Sequence, residues 1–270
     1  MELHSVFDSP CMTIRNDEME QQSAQAFSCR EDRLPEIRAR SFDSPAGTAA
    51  IPNLLSADHQ SLLKGIATLV EWGNGKGAVF TEGEDASFIY TVASGMVRIS
   101  RHTESGRRQV LNFVLPGGVF GFPENGIYAN SAKPVGDVVL YRLPWNRLTE
   151  LLQREPQLQS TFMTRLVFDL QRAQSHLLVL GQQNVSQRIA SFLLDLMQHE
   201  DFYNAGANVL LLPVSRFDLA DYLGTAPETV ARALARLESD KILVRLSSRQ
   251  ISIPQPQRLS ALLQVRRRNH

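Results

Sequence analysis

Residues 215 to 253 read SRFDLADYLGTAPETVARALARLESDKILVRLSSRQISI. Two short helical stretches meet at Gly224, and the second opens on Pro227, which suits a first helical position because its missing amide hydrogen would go unpaired there anyway. Leu219, Ala220 and Leu223 on the first stretch, with Val230, Ala233, Leu234 and Leu237 on the second, form an apolar set able to pack the two together. Ala220 permits close approach and Gly224 permits the sharp turn. Glu228 and Arg232 lie one helical turn apart on the side away from that set. There they form either a surface ion pair or two groups offered to a partner. Two β-prone runs, ILVRL and QISIP, follow around Ser247 and Ser248 and read as a wing.

Two helices joined at a glycine turn, with a wing behind them, make the winged helix-turn-helix pattern, whose second helix enters a DNA major groove N-terminus first. On that pattern Glu228, Ala231 and Arg232 are the expected base contacts. Arginine can grip guanine O6 and N7 with two hydrogen bonds, and glutamate can accept from the cytosine amino group. Ser215, Thr225, Thr229 and Arg236 are the expected backbone contacts, which position a module without reading sequence. The charge agrees. Formal net charge is zero over 270 residues, yet from Ser215 to His270 there are ten basic residues against five acidic ones, leaving +5 there and −5 elsewhere. That asymmetry suits a polyanionic partner for the C-terminal part.

Working towards the N-terminus, NVSQRIASFLLDLM predicts a helix with Asn184 and Gln187 as its capping box, and Gly181 should end the helix before it, so 181 to 184 reads as a hinge. In that preceding helix, opened by Pro156, Leu166, Leu170, Ala173, Leu177 and Leu180 recur at 4, 3, 4, 3 and form the expected dimer seam, the alternative being a face packed against the chain's own β domain. PWNRLTELLQREP predicts a shorter helix ahead of it. Between Trp72 and Leu143, short runs such as FIYTVAS, MVRISR and QVLNFVL are punctuated by glycine, and TESGRR at 103 to 108 reads as a hairpin tip. Short strands with a turn every eight to twelve residues predict an antiparallel barrel, sandwich or roll. SADHQSLLKGIATLVEW, from Ser56, predicts an amphipathic helix, and residues 1 to 50 read as disordered linker.

The expected class is therefore α+β, in four parts: an extension at 1 to 50, an antiparallel β-roll with flanking helices at 51 to 155, a dimerisation helix and hinge at 156 to 183, and a winged helix-turn-helix at 184 to 270. A hydrophobic content of 43% and a charged content of 21% are those of an ordinary soluble protein. No apolar run approaches the ~18 residues of a membrane span and the start is unlike a signal peptide, so a cytoplasmic protein without membrane contact is expected. Cys11 and Cys29 are too few for a disulfide framework or a four-thiolate cluster. The six histidines are scattered, with no H-E-x-x-H, G-x-S-x-G or Walker loop, so neither a metal, a cofactor nor an enzyme is expected.

The order of parts resembles the Crp/Fnr family of bacterial transcription regulators, over about residues 56 to 263. LQRAQSHLLVLGQQNVSQRIASFLLDL and SRFDLADYLGTAPETVARAL are most similar to its FixK branch and the Fnr relatives. Their E-T-[VI]-x-R motif is matched by Glu228, Thr229, Val230 and Arg232, which implies base readout by Glu228 and Arg232. The branch carries Ser before the Arg where this chain has Ala231, which leaves the outer half-site base open to a thymine methyl contact. The cyclic-AMP branch carries F-G-E-L and an R-[AST]-A cassette; here Phe122 and Pro123 replace Glu and Leu after Gly121, and no Arg stands at the cassette, Lys133 lacking the bidentate fork. Fnr holds its iron-sulfur cluster on cysteines of which one lies in the roll, and this chain has none after Cys29. The resemblance implies a homodimer on a palindromic DNA site, an activator touching RNA polymerase, and genes of low-oxygen respiration, nitrogen oxides or nitrogen fixation. The alternative is a protein whose roll binds a small-molecule effector and whose C-terminal module contacts protein.

Overall fold

The computed structural model describes Glu36, Ile37, 55–73 and 76–264. The expected disorder of residues 1 to 50 lies outside the described residues except at Glu36 and Ile37, as do Arg266, Arg267 and Arg268. At Ile37 the linker reading fails, because its side chain is 3% exposed and packs with Leu55, Leu63, Ile89 and Leu148.

Short strands with alternating burial build the first half. β1 Thr68–Trp72, β2 Phe88–Ser94, β5 Val119–Phe120 and β9 Val138–Pro144 form one sheet in the order β1-β9-β2-β5. β3 Val97–His102, β4 Arg108–Val114 and β8 Ser131–Pro134 form a second in the order β4-β3-β8, and β6 Pro123–Glu124 pairs with β7 Ile127–Tyr128. Every one of these pairings is antiparallel. The two larger sheets enclose Val92, Val97, Val114, Ala132, Val138 and Leu140. The β2–β3 turn depends on Gly95, at φ +83°, where an added Cβ would come within 2.8 Å of Val138 Cγ2. The β3–β4 hairpin turns through Gly106, whose amide donates to the Thr103 carbonyl at 2.8 Å, where TESGRR placed it.

The helix expected from Ser56 is half right. α1 Ala57–Lys64 is capped by Ser56 but stops at Gly65, and the rest of the stretch becomes β1. Thr68, Leu69 and Val70 are residues a pleated surface accepts well, and β9 supplies a ladder for all five residues of the strand.

α2 Trp145–Arg154 leads into the long α3 Pro156–Gln182, which has Pro at its start as expected. Gly181 does not end α3; the helix runs one residue further. The reason is Arg188, whose guanidinium donates to the carbonyls of Leu180 at 2.7 Å, Gln183 at 3.0 Å and Leu223 at 2.6 Å. It satisfies end carbonyls that a left-handed glycine would otherwise have capped. α4 Val185–Met197 carries the expected capping box, with both bonds between Asn184 and Gln187 at 3.0 Å.

The rest is α5 Arg216–Leu223, α6 Pro227–Ser239 and α7 Pro256–Gln264, with a four-stranded sheet ordered β10-β11-β13-β12 from β10 Tyr203–Asn204, β11 Val209–Leu211, β12 Val244–Arg245 and β13 Gln250–Ser252. Its core of Ile189, Leu193, Leu196, Leu219, Val230, Leu234 and Ile251 is continuous with Met96, Val110, Phe113 and Leu115 of the roll. Phe113 sits edge-on to Tyr222 at 5.2 Å between ring centres.

Candidate nucleic-acid interface

α5 starts at Ser215, whose hydroxyl accepts from the Asp218 amide at 3.0 Å, and ends at Gly224 in the left-handed region, φ 62°, ψ 43°. A Cβ there would find its nearest neighbour at 3.8 Å, so backbone conformation rather than space calls for glycine. α6 follows with Val230, Leu234 and Leu237 fully or nearly fully buried. Its N-cap, Ala226, offers no side-chain acceptor, and the start of α6 carries the partial positive charge of a helix N-terminus.

Glu228, Arg232 and Arg236 are exposed on this helix, with Ala231 and Thr229 half-buried beside them. No ion pair joins Glu228 to Arg232 among the described residues. Instead Arg232 Nη2 donates to Thr229 Oγ1 at 3.3 Å, and the Arg236 guanidinium lies 3.9 Å from Asp240. A carboxylate and a guanidinium thus stand side by side, neither consuming the other. Thr225 is half-buried in the turn and Ser215 is exposed at the start of α5.

The sequence reading missed one part of this face. A cleft of about 560 Å³ runs between the start of α4 and α6, lined by Asn184, Ser186, Thr229, Arg232 and Arg236. It brings a second helix start beside the arginines, and the signal for it was the capping box at Asn184.

On α3 the expected seam divides. Leu170, Ala173 and Leu177 are exposed, whereas Leu166 and Leu180 are half-buried. The exposed apolar stripe also includes Met163, Val167 and Leu178, which sequence spacing had not singled out.

Residues 187–262 match a family model described as Crp-like helix-turn-helix domain, and residues 76–155 match one described as cyclic nucleotide-binding domain. A nitrogen fixation regulation protein, FixK, of Azorhizobium caulinodans is 37% identical over 174 residues, 64% of this chain and 70% of the relative. The transcriptional activatory protein AadR of Rhodopseudomonas palustris is 30% identical, over 84% of this chain and 93% of the relative. The chain belongs to the Crp/Fnr family of transcription regulators. Among solved structures, FixK2 from Bradyrhizobium japonicum superimposes with a TM-score of 0.66 at 31% identity, covering 73% of this chain and 97% of FixK2. A DNA-binding regulator with the family's β-roll, long helix and helix-turn-helix is thereby established.

The roll's descent raises the question of a cyclic nucleotide, and the residues present do not fit one. Its centre is filled by rings: Phe80 stacks on Tyr128 at 3.7 Å, and Tyr90 and Phe120 close around them. Burial pushes the hydroxyls of Tyr90 and Tyr128 above their ordinary pKa, so both stay neutral. The space of about 190 Å³ that remains is lined by Phe80, Ile99, Phe120, Gly121, Phe122, Tyr128, Ala129 and Asn130, none of them charged. A cyclic phosphate needs an arginine fork and backbone donors. Lys133 is exposed, and the nearby Arg142 guanidinium lies over the Phe88 ring at 4.5 Å.

Proposed function

We propose that this regulator works as a cytoplasmic homodimer that reads a palindromic DNA site through Glu228 and Arg232. Ala231 sits at the outer half-site base, and Ser215, Thr225, Thr229 and Arg236 hold phosphates. The observation that carries the reading is the exposed Glu228 and Arg232 pair on the first turns of α6, left unpaired with each other over a buried apolar face. Supporting it, the cleft beside α6 sets Ser186, at the start of α4, next to Arg232 and Arg236. The exposed stripe of Met163, Val167, Leu170 and Leu177 supports pairing with a second α3, because an apolar seam of this period buries itself in a two-helix coil. Two copies would then set their reading helices about 34 Å apart, on successive grooves.

The relatives' names, nitrogen fixation regulation protein and transcriptional activatory protein, support activation of genes for nitrogen fixation; control of low-oxygen genes and contact with RNA polymerase complete the proposal. The ring-filled roll supports control without a cyclic nucleotide. The test is a gel shift on a two-fold symmetric duplex selected by the wild-type protein from a randomised pool. Glu228→Ala and Arg232→Ala should each forfeit about 1–3 kcal/mol of discrimination at one base position while leaving non-specific binding in place. Unaltered base preference in both variants would overturn the reading.

A further inference from the structure

We infer that Arg98, Arg108 and Gln109 of the roll are positioning residues for the DNA contact, clasping α5 so that α6 is held facing outward. The inference rests on the DNA-reading role proposed above.

Asp218 and Asp221 lie three residues apart on α5 and so share one face, which is turned towards the β3–β4 hairpin. Arg98 Nη1 donates to Asp218 Oδ1. Arg108 Nη2 reaches Asp218 Oδ1 at 2.7 Å and Asp221 Oδ2 at 2.6 Å, and its Nε donates to Asp221 Oδ2 at 3.1 Å. Gln109 Nε2 donates to the Asp221 carbonyl. Arg98 and Asp218 are each only 13% exposed. Beneath the charges, Phe113 of β4 packs against Tyr222, and on the other flank His176 of α3 stacks on the same ring at 4.1 Å. α5 is therefore held from the roll and from the long helix together.

A half-buried ion network of this kind contributes little net stability, because desolvation offsets the attraction, but it fixes geometry. One turn beyond the clasp the chain passes Gly224 into α6, so the attitude of α5 sets that of the reading helix. The clasp also neutralises two carboxylates on a helix that, in helix-turn-helix docking, crosses the DNA backbone. Releasing it loosens the head and bares those charges, and both effects weaken binding.

The experiment compares wild type with the double variant Arg98→Ala/Arg108→Ala, using fluorescence anisotropy on the selected duplex and on duplexes with one base pair added or removed between half-sites. The double variant should bind the native spacing about tenfold or more weakly, a loss of about 1.4 kcal/mol or more, and should discriminate less between spacings. The fourfold swap Arg98→Asp/Arg108→Asp/Asp218→Arg/Asp221→Arg should recover part of both losses. The milder Arg108→Lys keeps the charge and loses the fork on two carboxylates. It is measured alongside, so that unfolding of the double variant does not blunt the test, and it should shift both readouts in the same direction. Wild-type affinity and spacing preference in Arg108→Lys and the double variant overturn the clasp, as does a loss of affinity with discrimination intact, which marks general destabilisation. If the wild type selects no duplex from the pool, the DNA-reading role itself falls.

Discussion

At the scale of single residues, the groups proposed to meet DNA divide by what they can tell apart. Arg236, exposed on α6 and only loosely placed by Asp240, is proposed to contact a DNA phosphate rather than a base. Arg236→Ala should weaken binding equally on all sequences and lower the slope of log affinity against log salt by about one, as titration between 50 and 200 mM salt would reveal. His176 marks the other end of the residue scale. Its ring is stacked on Tyr222 and its Nε2 lies 3.2 Å from the Tyr222 carbonyl. Burial holds its pKa below the ordinary value, with Arg172 on α3 and Arg188 on α4 adding to the effect against the carbonyl's opposing pull. A depressed histidine stabilises the folded state above its unfolded pKa of about 6.5, and that contribution is lost as the pH falls below it. Urea melts from pH 7.5 to 5.0 should therefore fall more steeply for the wild type than for His176→Gln; parallel slopes would refute this. The exposed placement of Glu228 and Arg232 on one helix and the Asn184 capping box were legible because each is a local pattern of a few residues. The partners of Arg98 and Arg108 were not, since they lie 120 and 113 positions away and no spacing rule links them.

Among elements, α3 carries the clearest prediction. Its exposed leucines make Leu170→Asp and Leu177→Asp the changes expected to split a dimer with little harm to the monomer fold, for both side chains face solvent in the single chain, at 58% and 67% exposure. Sedimentation should find dimers for wild type and monomers for the variants, and palindrome affinity should fall with the association. The period of this helix was readable, but its phase was not. Heptad spacing cannot say which part of the stripe the rest of the fold will cover: Leu166 and Leu180 are half-buried while Met163 and Val167 are bare. The same limit explains the stretch after Ser56, where apolar residues fit a helix and a strand alike until β9 supplies a ladder. It also explains Gly181, because a local stop signal yields when Arg188, seven residues on, caps the carbonyls.

For the molecule as a whole, the succession of β-roll, long helix and helix-turn-helix was legible from alternating patterns and glycine punctuation. The roll has the family's frame and a centre packed with rings. Thermal melts with millimolar cyclic AMP should consequently show no rise in Tm, whereas a ligand at a hundred times its Kd would add about 2.7 kcal/mol to stability. A rise of several degrees would overturn the account of the roll. The shared core has a separate practical consequence. Phe192 and Tyr222 turn their rings towards Phe113, so a fragment cut at residue 184 would present wet aromatic surface where the uncut protein has a dry seam. Such a fragment should be sticky in solution, and engineers wishing to transplant this reading head onto another protein would first need to repaint that surface with polar side chains.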